Sequence, residues 1–353
     1  MVGRTKSGGV APLVGALLLL LSGPAWAART ITISTATGGV TVGAGPSMNF
    51  GNGNGLGVGT PGTGVTVITG GVANGALYTS PYNITVSGFA ASAQISVTAY
   101  VVSNFTHPTV LIAKSCQTGV SCTSAGNFTT LSTNSLLPTQ VTSSNLANGG
   151  TATATIGIFV SSTNGSGTFT GSDTVSITFT ATNTSNGNTA TTTLSIAITV
   201  QEAVKLQLST ATGGLTISPA SDYSANYGSV NGLGISPAAG LTVVAASGGT
   251  IYSTPYVITP AFSSFSSTTG SVKAYVSANF AHSAILALND ASVVGGPYNA
   301  ISNSSGSPTV FTTSAASAAA ITRYLGLFVS NANGSSAFTG SDTATLTYSL
   351  TVP

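Results

Sequence analysis

The sequence predicts an all-β protein: two tandem immunoglobulin-like antiparallel β-sandwiches behind a removable leader. Three observations carry this. The 353-residue chain contains one pattern twice, about 175 residues apart. Within each copy, apolar residues alternate with Thr or Ser over short runs, the period of a half-buried strand. Gly, Asn, Ser and Pro punctuate those runs roughly every ten residues, the turn spacing of a sandwich.

The repeat is explicit. Ser34-Thr-Ala-Thr-Gly-Gly39 returns as Ser209-Thr-Ala-Thr-Gly-Gly214, and Phe50-Gly51 with Asn54-Gly-Leu-Gly57 returns as Tyr227-Gly228 with Asn231-Gly-Leu-Gly234. Tyr78-Thr-Ser-Pro-Tyr82 becomes Tyr252-Ser-Thr-Pro-Tyr256, and Asn104-Phe105 with His107 becomes Asn279-Phe280 with His282. Phe169-Thr-Gly-Ser-Asp-Thr174 reappears as Phe338-Thr-Gly-Ser-Asp-Thr343. A spacing this long is too great for a solenoid, so the copies read as tandem modules. The expected organisation is a signal peptide at 1–27, a first sandwich at 28–202 and a second at 203–353, meeting near Gln201-Glu202.

Strands are expected at Thr30-Ile-Thr-Ile-Ser34, Val65-Thr-Val-Ile68, Ile95-Ser-Val-Thr-Ala-Tyr100 and Val175-Ser-Ile-Thr-Phe179. Thr is their recurrent outward residue, a β-branched hydroxyl that suits an exposed strand face without adding charge. Only 314–320, rich in Ala, offers a helical turn or two.

Charge is almost missing. The chain has 7 Lys+Arg and 5 Asp+Glu, 3% of residues, against about 25% in an ordinary soluble domain. With 42% hydrophobic residues and a mean hydropathy of +0.43, it also lacks the composition of a disordered chain. No basic field exists to hold a phosphate backbone, which argues against a nucleic-acid partner. Catalysis by proton transfer or metal ligation needs clustered titratable groups, and here a handful are scattered; the reading is a non-enzyme without cofactors.

The start of the chain has the three parts of a secretory leader. Arg4 and Lys6 are followed by an apolar run at 10–21 and then Ala25-Trp26-Ala27. The run is short of the roughly 20 residues a spanning helix needs. Cleavage after Ala27 implies an exported protein, in the periplasm, at the cell surface or outside the cell, with no membrane insertion thereafter. In such a compartment Cys116 and Cys122, with five residues between them, are expected to form a small-loop disulfide. A redox or metal role is disfavoured because no His lies near.

His107 with Asp173, and His282 with Asp342, are the one pairing that resembles chemistry. No nucleophile elbow accompanies them, so Asp173 and Asp342 are read as structural turn residues whose carboxylates accept backbone N–H bonds. The run Gly51-Asn-Gly-Asn-Gly-Leu-Gly57 has neither a following helix nor a Lys, so it reads as a glycine-rich hairpin and not a phosphate loop. Sequons at Asn83, Asn104, Asn127 and Asn333 arise by chance in a chain so rich in Asn, Ser and Thr.

The early Phe-Gly or Tyr-Gly dipeptide, the Pro-Tyr-x-Ile-Thr strand at Pro81 and Pro255 (Asn83 and Val257 at x), and the closing Phe-Thr-Gly-Ser-Asp-Thr resemble the spore coat protein U type domain, found in archaic chaperone-usher pilins and two-domain tip adhesins. The family usually carries cysteines tying its early strands; the second copy here has none and the first has only the local Cys116/Cys122 pair. The resemblance implies an immunoglobulin-like fold, secretion, and assembly into a surface fibre by strand donation. The residues alone suggest a structural or adhesive surface protein that contacts itself or other surface subunits through edge strands, which lack the usual gatekeeper charges. The alternative is a secreted carbohydrate- or ligand-binding sandwich; it would need exposed aromatics, and the one Trp lies in the leader.

The copies also differ. After its Asp-Thr strand the first continues into Thr191-Thr-Thr-Leu-Ser-Ile-Ala-Ile-Thr-Val200, whereas the second has its Asp-Thr strand at 343–352 and no counterpart of 191–200. The second sandwich is therefore expected to need a strand from elsewhere: an extension of another subunit, the 30–34 segment of a neighbouring copy, or 191–200 shared in cis. For the leader, N-terminal sequencing of exported protein should read from Ala28 or within a residue or two of it; retention of Met1 would refute the cleavage.

Overall fold

Alternation of apolar residues with Thr and Ser makes strands along almost the whole of residues 28–219, 222–332 and 338–353, which the computed structural model describes; the expected leader lies outside them. The first half contains β1 (Thr30–Thr35), β2 (Ser47–Gly53), β3 (Thr66–Ile68), β4 (Gly75–Ser87), β5 (Ile95–Ser103) and β6 (Leu111–Cys116). It continues with β7 (Thr129–Thr130), β8 (Thr139–Gln140), β9 (Thr151–Ser161), β10 (Gly171–Asn183) and β11 (Thr189–Val200). One sheet runs β1-β4-β9-β6-β7, with β3 added to β4; the other runs β2-β11-β10-β5-β8. Their inner faces form one apolar cluster in which Tyr82, Ile84, Ile156, Ile177, Phe179, Leu194 and Ile196 are fully buried. The outer faces carry Thr opposite Thr or Ser, as in Thr180 against Thr191 and Ser176 against Ser195.

The second half repeats the plan with β12 (Ala203–Thr210), β13 (Ser218–Pro219), β14 (Tyr223–Ser224), β15 (Thr242–Ala246), β16 (Gly249–Ser263) and β17 (Thr269–Ala278). After these come β18 (Leu286–Ala291), β19 (Asn299–Ala300), β20 (Thr309–Ala316), β21 (Ile321–Ser330) and β22 (Thr345–Thr351). Its larger sheet, β12-β16-β21-β18-β19 with β15 on β16, matches that of the first half strand for strand. The fold is thus two immunoglobulin-like β-sandwiches in tandem, with two differences from expectation. Residues 314–320 make no helical turn: β20 runs to Ala316 and pairs with β17, and burial of Ala315 outweighs the helix preference of its neighbours. The pairing is also not wholly antiparallel, because β2 lies parallel to β11. Parallel neighbours need a long connection, and nearly the whole first half separates these two.

The Ser-Thr-Ala-Thr-Gly-Gly repeat is explained by its last two residues. Gly38 and Gly213 adopt φ of +74° and +76°, open to glycine at no steric cost. A side chain on Gly39 or Gly214 would run into the carbonyl of Pro81 or Pro255. Among the described residues, the hydrogen bonds between the halves come from backbone groups and the Asn164 side chain. Asn164 Nδ2 donates to the Phe262 carbonyl (2.9 Å) and its Oδ1 accepts from Phe265 N–H (3.1 Å), while Gly165 N–H donates to Phe265 O and Ser264 N–H to Thr163 O.

The halves diverge in the smaller sheet. In the second it has three strands, β20-β17-β22, and among the described residues nothing pairs with the far side of β22, the side that β11 takes on β10. Phe179 of β10 is fully buried, while its counterpart Tyr348 is partly exposed. Phe179→Ala should therefore cost about 3–5 kcal/mol, and Tyr348→Ala markedly less, in chemical denaturation of the two variants. Equal losses would mean that the two edges are equally covered.

Candidate functional site

The open edge of β22 is the most distinctive surface of the molecule. In the first sandwich β11 turns Leu194, Ile196, Ile198 and Val200 inward, all buried, and so covers Ile31 and Ile33 of β1 and Val175, Ile177 and Phe179 of β10. The matching positions in the second sandwich are Leu206 and Leu208 of β12, and Ala344, Leu346 and Tyr348 along and just before β22. All five stay only partly buried, as do Ile217 and Leu350. They form an apolar trough the length of one strand. The segment 224–230 is the sequence counterpart of β2; only Ser224 of it lies in a strand, β14, paired with β13. Beside that segment a cavity of about 470 Å³ opens between Gly214, Leu215 and Asn226.

Two of the expected donor segments, 30–34 of a neighbouring copy and 191–200 in cis, correspond to strands that pair within the first sandwich, β1 on one flank and β11 on both. All six residues of β1 pair with β4, and β11 sits between β10 and β2. Sharing of 191–200 in cis is thereby contradicted: the segment already closes its own sandwich.

One mouth of the trough is fixed by the His/Asp pair. Asp342 accepts N–H bonds from Ala281 (3.1 Å), His282 (2.9 Å) and Thr343 (2.8 Å), and His282 Nδ1 lies 3.0 Å from its carboxylate. Asp173 repeats this with Thr106 (3.1 Å), His107 (3.0 Å), Thr174 (2.8 Å) and His107 Nδ1 (3.1 Å). Each imidazole stacks on the Phe that opens the Phe-Thr-Gly-Ser-Asp-Thr motif, His107 on Phe169 and His282 on Phe338, with ring centroids 3.7 Å apart in both. The motif and the Asn-Phe-x-His loop are thus two halves of one clip. No nucleophile completes it, and among the described residues no group of His, Cys, Asp or Glu could hold a metal.

Backbone N–H of His282, opposed by desolvation and aided by its ring and by Ala281 and Thr343, holds the Asp342 carboxyl down at about 2. Burial pushes the Asp173 carboxyl up, but the N–H groups of Thr106 and Thr174 and the His107 contacts outweigh it, leaving it below the ordinary range.

Cys116 and Cys122 are joined in a disulfide, which packs with Leu77 and Phe128 on the outer face of the first larger sheet. Closing so short a loop contributes about 2 kcal/mol in the chain-entropy account. Against this bridge lies a depression of about 530 Å³ walled by β3 and residues 122–124. The glycine-rich run is organised by Asn54, whose amide spans Leu56 N–H, Val58 N–H and Val58 O, while its backbone N–H and C=O both bond the Tyr78 hydroxyl. Asn231 and Tyr252 repeat every bond. The twice-occurring Asn-Gly-Leu-Gly and Tyr were the available signal for this knot.

The second core also holds a polar group that the sequence did not reveal. Arg323 pairs with Asp290, donates to Phe311 O (3.2 Å), and lies 5.0 Å over the Phe311 ring. Burial pushes the Asp290 carboxyl up, with Arg323 pulling against it. Beside them the Tyr256 and Tyr348 hydroxyls are 3.1 Å apart. The corresponding first-sandwich residues, Ser115 and Ala154, carry no charge.

No protein-family model matches this chain, and no curated protein matches it. Among solved structures it is similar to the CsuC-CsuE chaperone-tip adhesion subunit complex from archaic Csu pili of Acinetobacter baumannii, at 10% identity over 92% of this chain and 100% of that one, TM-score 0.33. It is similar also to the CupB6 tip adhesin of Pseudomonas aeruginosa, at 9% identity over 90% and 94%, TM-score 0.28. A third likeness, to a family 123 glycoside hydrolase from Clostridium perfringens, covers 48% of this chain and 27% of that one at 11% identity and TM-score 0.24.

Because both clip carboxylates titrate below the unfolded value of about 3.9, their stabilisation is present above that pH and lost as pH falls through the folded values, about 2 for Asp342. Melting temperature should drop steeply between about pH 4 and 2, and less steeply in a variant with Asp173→Asn and Asp342→Asn. Asp173→Ala, which strips three N–H groups of their acceptor, should cost about 1–3 kcal/mol.

Proposed function

We propose that this protein is an exported, non-catalytic subunit of a cell-surface fibre, and that its second sandwich is completed by a strand donated from another subunit. The observation that supports this is the trough along β22. A strand edge of unpaired N–H and C=O groups beside partly exposed Leu206, Leu208, Leu346, Tyr348 and Leu350 is a template for one more strand. The first sandwich supplies the comparison within the same chain, since there the equivalent strand buries the equivalent residues. Since β11 is paired on both flanks in its own sandwich, the donor is a strand of another subunit.

The scarcity of charge fits this role. Association through uncharged Thr and Ser faces and through backbone pairing needs no ionic complementarity, and leader-directed export places the protein where such fibres assemble. The residues 28–202 and 203–353 act in this reading as two modules, the first closed and presented outward, the second an acceptor. The non-catalytic reading is supported by the two His/Asp clips, in each of which the imidazole bonds its Asp and stacks on a Phe.

A peptide of sequence 189–200, the strand that completes the first sandwich, is a surrogate donor. Added to the purified chain, it should raise the unfolding temperature of the second sandwich alone and slow amide exchange along 345–351. Unchanged unfolding and exchange at saturating peptide would refute strand donation.

A further inference from the structure

We infer that the natural donor differs from β11 in a defined way: it carries an aromatic or similarly large side chain at the position of Ile196, and small side chains at the positions of Ala190 and Ile198. This rests on the strand-donation reading and adds which sequence the trough accepts.

The register comes from the first sandwich. β11 runs antiparallel to β10, with Ala190 opposite Ala181, Leu194 opposite Ile177, Ile196 opposite Val175 and Ile198 opposite Asp173. It also runs parallel to β2, with Ile196 beside Met48. Ile196 is thus walled by Val175 and Met48, and all three are buried. In the second sandwich both walls shrink together, since Val175 becomes Ala344 and Met48 becomes Ala225. The side chains of the facing strand keep their size, Ile31 and Ile33 becoming Leu206 and Leu208. An Ile there would leave a void, and buried voids cost stability in proportion to their volume; a Phe or Tyr ring fills it.

At the two flanking positions the change is opposite. Ala181, opposite Ala190, becomes Leu350, which occupies the room that position has in the first sandwich. Gly53 becomes Val230, and a Cβ at Gly53 would already touch Ile198 Cδ1. A β-branched Val therefore crowds an Ile at the matching donor position and favours a smaller side chain there. Opposite Leu346 the pocket is unchanged, Leu for Ile, and a Leu like Leu194 fits. The trough thus accepts a small side chain at the position of Ala190, a Leu-sized one at that of Leu194, an aromatic at that of Ile196 and a small one at that of Ile198. Backbone pairing makes the strand bind and this size pattern fixes its register, since a shift by two residues would drive the ring against Leu346 or Val230.

The test is a titration of the full chain with four synthetic peptides of sequence 189–200: unchanged, with Ile196→Phe, with Ile198→Val, and with Ala190→Leu. Ile196→Phe should bind about tenfold more tightly than the unchanged peptide, Ile198→Val severalfold more tightly, and Ala190→Leu about tenfold more weakly, a tenfold change being about 1.4 kcal/mol. A chain variant carrying Ala344→Val and Ala225→Met should lose the preference for Phe. Equal affinities across the peptides, or weaker binding of Ile196→Phe, would overturn the size pattern while leaving strand donation standing. Failure of all four to bind would overturn both.

Discussion

A sandwich of two sheets is closed when every strand edge that borders the core is covered, and in the first half of this chain one strand does that work. β11 satisfies the backbone of β10 on one side and of β2 on the other, and inserts four apolar side chains between the sheets. Remove it and two consequences follow together. The edge strands lose hydrogen-bond partners, which costs when the groups are shielded from water, and apolar side chains from both sheets face solvent. The second half shows this state: among the described residues β22 has one bare flank and the β2 counterpart is mostly without strand pairing, and the partly buried residues beside them match those that pack with β11 in the first half.

Given that opening, the second sandwich depends on contacts the first does without. Tyr348 replaces Phe179 and brings a hydroxyl that meets Tyr256, whereas Tyr82 in the closed sandwich has a buried hydroxyl without a partner. Arg323 and Asp290 add an ion pair with a carbonyl contact and an aromatic face. Isolated buried pairs rarely add net stability over apolar packing, but breaking one is costly. The group ties β18 to β21 and, through the carbonyl and ring of Phe311, to β20.

Much of this was legible in the sequence because it is written twice. The repeat fixed the two-sandwich plan, and the missing counterpart of 191–200 exposed the open edge before any coordinates. The local patterns were less complete guides. Asp173 and Asp342 sit beside glycines and look like turn residues, yet their carboxylates reach N–H groups some 60 to 67 residues away in sequence, a contact no local signal encodes. The parallel pairing of β2 escaped notice because strand direction follows from topology and not from periodicity. Residues 314–320 read as helical because Ala favours helices, and the sheet overrode a preference worth only tenths of a kcal/mol per residue.

Charge gives the final step of synthesis. Of the five acidic residues, Asp173, Asp290 and Asp342 are committed to clips or to the buried pair, which leaves Glu202 and Asp222 as the acids without such an internal partner. The outward faces are accordingly Thr and Ser, able to hydrogen-bond but without a long-range field. Such a surface gives no electrostatic steering and no like-charge repulsion between neighbours. On the proposed strand donation, discrimination between partners has to arise after contact, from side chains that either fit the trough or do not. A shape-coded strand interaction is the form of recognition that an uncharged sandwich can still make specific.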